Sequence, residues 1–115
     1  TVDFKQHALR PLMMGIRTLA LSAGITESHS LERIRELEKR GELSANLSQA
    51  LQSAYDFIML LKIRRNFITH ENENLSGNEV SLKQLNPLEQ RFLEESLKVI
   101  LRLQDEVYAR FGGIP

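Results

Sequence analysis

Apolar residues recur along most of this chain at steps of three and four, the spacing that gathers side chains on one side of a helix. Leu12, Ile16, Leu19, Ala20 and Ala23 form the first such stripe. Pro11 stands just ahead of it, where the first helical turn needs no donor, and Gly24 follows as a stop. The residues before Leu9 show no such pattern and read as extended or irregular through about Ala8. A second helix opens at Thr26-Glu27-Ser28, with Ser28 or Ser30 placed to accept from its bare first-turn amides. It buries Leu31, Ile34 and Leu37 and ends at Gly41. The third helix begins at Ser44 or Asn46 and runs to about Ile68, carrying Leu47, Leu51, Ala54, Ile58 and Leu61 inward, with Ala50, Phe57 and Leu60 widening the face. Residues 71–83, polar and containing Ser76-Gly77-Asn78, read as a surface loop pinned by Val80, Leu82 and Leu85. Asn86-Pro87-Leu88-Glu89 is the strongest local signal: a capping asparagine, a proline in the first turn, and a carboxylate able to reach back to the cap amide. The fourth helix buries Leu93, Leu97, Ile100, Leu103 and Val107 and stops at Gly112-Gly113. No strand pattern competes and no repeat is present, so the pattern predicts an all-α fold: an antiparallel four-helix bundle with an extended N-terminal segment.

Composition narrows this further. At 115 residues the chain fits one domain spanning 1–115. Apolar residues at 42% and charged residues at 26% are ordinary for a folded domain. Fifteen basic residues balance fifteen acidic ones, which argues against coating nucleic acid or an anionic membrane through bulk charge. Without cysteine, disulfides, thiolate metal sites and cysteine nucleophiles are excluded. No apolar run approaches the roughly 20 residues of a membrane span. The chain opens Thr1-Val2-Asp3 without a methionine or a signal-peptide pattern, and we expect it to be the C-terminal fragment of a larger polypeptide.

For chemistry, the sequence has no glycine-rich phosphate loop. Its carboxylate pairs, such as Glu94-Glu95 and Asp105-Glu106, are helical neighbours pointing about 100° apart, so they do not converge on a metal. His7, His29 and His70 fall in different elements. One cluster is unusual: Lys62, Arg64 and Arg65 end the most apolar helix, and Arg65 interrupts the seam of Leu51, Ala54, Ile58 and Leu61. Its stem either snorkels to water near the helix C-terminus, or Arg64 or Arg65 holds an anion, phosphate above all. Lys5, Arg10 and Arg17 make a second basic set, with Arg10 and Arg17 two turns apart on one helix face. That face is either simply solvated or meets phosphates or an acidic surface. Arg65-Asn66-Phe67-Ile68-Thr69-His70 resembles the motif of HEPN ribonucleases, which implies an alternative: metal-independent RNA cleavage across a dimer, with His70 as general acid or base and Arg65 on the phosphate.

A longer succession of segments carries a second resemblance. Val2-Asp3-Phe4-Lys5, Leu9-Arg10-Pro11 and Arg17-Thr18-Leu19-Ala20-Leu21 come first. Gly24-Ile25-Thr26, Leu31-Glu32-Arg33-Ile34-Arg35 and Gly41-Glu42-Leu43-Ser44 follow, then Ala54-Tyr55-Asp56-Phe57-Ile58-Met59-Leu60-Leu61 with Ile63-Arg64. Leu85-Asn86-Pro87-Leu88-Glu89-Gln90-Arg91 and Leu97 close the series. In order and spacing this resembles the C-terminal domain of the nucleotidyltransferases of the DUF294 family, bacterial cytoplasmic signalling proteins similar in their catalytic part to PII-uridylyltransferase. The resemblance implies a substrate-binding module, itself without catalytic residues, that follows CBS or cyclic-nucleotide-binding-like domains and a nucleotidyltransferase domain in the same chain. It implies no cofactor here; magnesium and a nucleoside triphosphate would belong to the adjoining catalytic domain, and the partner is that domain with a nucleotide or protein substrate. No membrane is implied, and a homodimer stays open. Lys5, Arg10 and Arg64 match the family pattern and, with Arg17, are the expected substrate-binding residues. After Arg64 the chain departs: Arg65-Asn66 stand where relatives commonly carry His-Gln.

Overall fold

Four helices form where the apolar stripes predict them. A computed structural model describes residues 2–3, 5–71, 79–80 and 85–112, with side chains for 7–64 and 85–112. Helix α1 spans Arg10–Ser22, α2 Ser30–Lys39, α3 Ala45–Glu71 and α4 Pro87–Phe111. A short antiparallel pair, β1 (Val2–Asp3) against β2 (Glu79–Val80), sets Val2 opposite Val80. Each helix packs on two others, α1 on α2 and α4, and α3 on α2 and α4, so the four close a ring around one core. Leu12, Ile16 and Leu19 of α1 meet Ile34 and Leu37 of α2, Leu51, Ile58 and Leu61 of α3, and Leu93, Ile100 and Leu103 of α4 in a single buried cluster. The expected all-α four-helix bundle is the fold observed.

Several boundaries differ from expectation. The extended N-terminal segment is only Val2–Asp3; Lys5–Leu9 is a π-helical turn that runs straight into α1. Pro11 supplies a physical reason, because its ring crowds the carbonyl four residues back and it has no N–H to donate, and a widened turn relieves both. Helix α2 starts at Ser30, later than Thr26-Glu27-Ser28, and no serine caps it: His29 holds the cap position without a side-chain bond, and the Ser30 hydroxyl donates to the Met13 sulfur at 3.1 Å. Ser44 does cap α3, its Oγ accepting from Leu47 N at 3.1 Å, and α3 continues past Ile68 to Glu71. Asn86 and Glu89 form the predicted capping box. Ser76-Gly77-Asn78 and Leu82 lie outside the described residues, whereas Leu85 is buried.

Direction is where the bundle departs from simple alternation. Helix α3 is antiparallel to α4, since Arg64 near its end meets Glu89 at the start of α4, and Glu42 just before it meets Arg110 near the end of α4. It is also antiparallel to α2, as the edge-on contact of His29 with Tyr55 requires. Helices α1 and α2, by contrast, run side by side in one direction: Ser30 touches Met13 at one end, and Arg40 Nη1 donates to the Ala23 carbonyl at 2.7 Å at the other. The chain between them must therefore travel back along the bundle. Gly24, at φ +72°, makes the reversal, with Ile25 N donating to Ala20 O at 2.9 Å and the Ile25 side chain buried.

Gly15 belongs to no apolar stripe, yet it is buried where α1 crosses α4. A Cβ there would lie 2.7 Å from Leu103 Cδ2 and 2.8 Å from its Cγ, and Leu103 is wholly buried with little room to retreat. Gly15→Ala is accordingly expected to destabilise the fold by about 1–2 kcal/mol, overpacking outweighing the gain in helix propensity. In a Leu103→Ala background the same change should cost nothing. Urea denaturation midpoints of the four chains check both statements.

Candidate functional site

Three places concentrate chemistry. The first is the outer face of α1. Burial of Leu12, Gly15, Ile16, Leu19 and Ala20 fixes the rotation of this helix and leaves Arg10, Met14, Arg17, Thr18 and Leu21 to solvent. Arg10, Met14, Arg17 and Leu21 follow one another at steps of four, three and four, so they form a continuous stripe. Met14 is 64% and Leu21 59% exposed. No ion pair or hydrogen bond joins Arg10 or Arg17 to another described residue. Reading only for core stripes and charge pairs missed Met14 and Leu21; their spacing from the two arginines is the signal that could have found them.

The second place is the far end of α3. Arg64 Nη2 donates to Glu89 Oε2 at 2.6 Å, while Glu89 Oε1 accepts from Asn86 N at 3.0 Å. Glu89 therefore closes the cap of α4 with one oxygen and ties α3 to α4 with the other. The guanidinium first, and the cap N–H next, hold its carboxyl below the usual carboxylate range. Arg64, expected as a substrate contact, thus has a structural partner already. The π-helical turn packs on α3 and α4 as well as α1. Arg17 lies about 10 Å along the axis of α1 from Arg10. The side chains of Lys5, Arg65 and His70 lie outside the described residues; Arg65 and His70 are both within α3.

The third place is an open groove of about 640 Å³ between α3 and α4. Phe57 and Phe92 stack across it with ring centroids 5.7 Å apart, and Leu60 and Leu88 flank them, more than half exposed. Phe57 widens the core face of α3 as expected while also lining this groove, whereas Leu60, expected to do the same, is exposed on the groove side. Asp56, Arg91 and Glu95 line it too.

Over residues 1–111 the chain matches the model of a family described as "Putative nucleotidyltransferase substrate binding domain", DUF294_C. The chain belongs to this family. No curated protein and no solved structure matches it. The resemblance of its segments, from Val2-Asp3-Phe4-Lys5 to Leu97, is thus a true family relationship. Among the described residues, no three His, Asp or Glu side chains gather as metal ligands. No helix among them is long and apolar enough to cross a membrane.

The Arg64–Glu89 pair sets a pH dependence. A carboxyl whose folded pKa is depressed contributes stability that is fully present above its unfolded pKa and is lost as pH falls through the folded value. The difference in melting temperature between the parent chain and Glu89→Gln should therefore be largest near neutrality and shrink as pH falls from about 5 toward about 3. A difference that stays constant across that range contradicts the assignment.

Proposed function

We propose that this domain positions a substrate for a nucleotidyltransferase active site carried elsewhere in the same polypeptide, and makes and breaks no bonds itself. The observation that carries this reading is the family match across residues 1–111. Its physical contribution is orientation: fixing an acceptor beside a reactive centre converts a bimolecular encounter into a local one, and so lowers the barrier without any catalytic group in the module. The magnesium ion and the nucleoside triphosphate belong, in this reading, to the adjoining catalytic domain, and the whole polypeptide acts in signalling.

The exposed arginines of α1 support the assignment of a surface, with Arg10 and Arg17 as its charged members; Lys5 and Arg64 join them in this reading through their match to the family pattern. A rigid helix backed by the core is a better positioning element than a loop, because its side chains keep their mutual spacing.

Peptide mapping of the native polypeptide is expected to find, ahead of this domain, a Gly-Ser turn followed by paired aspartates. Removing residues 1–115 from that polypeptide should raise KM for the acceptor severalfold and leave metal-dependent turnover of the triphosphate intact. A native chain without a nucleotidyltransferase domain, or an unchanged acceptor KM, contradicts the reading.

A further inference from the structure

The chain is balanced in charge, fifteen against fifteen, but α1 is not: its residues Arg10–Ser22 include two arginines and no acidic side chain. Both arginines lie in the exposed stripe, alternating with Met14 and Leu21. Arg64 and Arg110, in contrast, are each held by a carboxylate on another segment. We propose that the outer face of α1 docks an acidic amphipathic helix of a protein substrate. The inference rests on the substrate-positioning reading and names what is positioned: a protein segment, not a free nucleotide.

Geometry decides against a phosphate. Arg10 and Arg17 are two turns apart, about 10 Å along the axis, and cannot converge on one phosphate group. The start of α1 offers no compensating site. A helix N-terminus binds anions through bare amides and its dipole, but here the π-helical turn Lys5–Leu9 precedes Arg10 and Leu9 has helical backbone angles, φ −64° and ψ −48°. The end that would attract a phosphate is thus filled by chain. A nucleic-acid strand fits no better. Its backbone presents charge at every residue and has no use for Met14 or Leu21, and a neutral domain supplies little of the counterion release that drives such binding.

An acidic amphipathic helix satisfies all four positions. Two carboxylates seven residues apart match the spacing of Arg10 and Arg17, and apolar residues between and beyond them cover Met14 and Leu21. Methionine suits such a surface, since its unbranched thioether adapts to differently shaped partners. The arginine–carboxylate pairs supply orientation and rate of encounter, and the apolar residues supply most of the affinity.

The test uses the 115-residue chain and a synthetic helical peptide bearing glutamates seven residues apart with a leucine four beyond each, followed by fluorescence anisotropy. Saturable binding is expected. Arg10→Glu with Arg17→Glu should weaken it by about tenfold or more, and Met14→Ser with Leu21→Ser by a similar factor, with helicity by circular dichroism unchanged. Arg35→Glu with Arg102→Glu shifts net charge equally, on α2 and α4, and should leave binding as it was. Absence of binding at millimolar peptide overturns the proposal. So does equal weakening by the α2 and α4 reversals, which would mean bulk charge. Tighter binding of a single-stranded RNA oligomer than of the peptide overturns it too. These outcomes leave the substrate-positioning reading to its own test, the acceptor KM of the native polypeptide, so the two can fail separately.

Discussion

The close approach of α1 to α4 at Gly15 is the constraint on which the presentation of this surface depends. With no side chain at that position, α1 lies directly against Leu103, and the rest of its inner face, Leu12, Ile16, Leu19 and Ala20, meets the core in register. That contact fixes the rotation of the helix, and rotation decides what remains outside: Arg10, Met14, Arg17 and Leu21. Helix α4 can serve as the reference because it is held against α3 at both ends, by Arg64 with Glu89 and by Arg110 with Glu42. These pairs are partly exposed, and each contributes little to stability beside the burial of a leucine or isoleucine, worth about 1.5–3 kcal/mol apiece. Their role is specification. They fix direction and stagger, while the apolar core supplies the free energy.

Much of the fold was legible because helical periodicity and end signals are local. The stripes of α3 and α4 named Leu47, Leu51, Ile58, Leu93, Ile100 and Leu103, all buried, and Asn86 with Glu89 formed the cap that their spacing promised. What stayed hidden was tertiary. Nothing in the periodicity of α1 and α2 says that they run in the same direction; that follows from residues 24–29 returning along the bundle, with Ile25 buried on the way. Gly15 carries no side chain and so leaves no mark in a hydrophobic pattern, although α1 and Leu103 of α4 approach too closely there for a Cβ. The π-helical turn was read as irregular because Pro11 suggested a fresh start rather than a distortion inside one continuous helical run.

The candidate site was legible in its charges and not in its contacts. Arg10 and Arg17 were found on one face by their seven-residue spacing, as they are in the structure. Arg64 was found as well, but its partner Glu89 is twenty-five residues away in sequence and becomes visible only in three dimensions. The apolar half of the α1 stripe escaped notice because an exposed methionine or leucine is unremarkable singly. It gains meaning from alternation with two arginines that no described carboxylate neutralises. The positioning role we propose needs no more than this: a rigid support and a few side chains at fixed intervals.

The chain carries three methionines, Met13, Met14 and Met59, and their methyl resonances offer a direct reading of where a substrate sits. Met14 stands in the exposed stripe of α1, whereas Met59 is half-buried on α3. In the native polypeptide, addition of the acceptor should shift and broaden the Met14 methyl signal strongly and leave Met59 in place. A shift at Met59 with Met14 unmoved would contradict the account, because it would put the substrate on the α3 side of the bundle and leave the α1 face without a role.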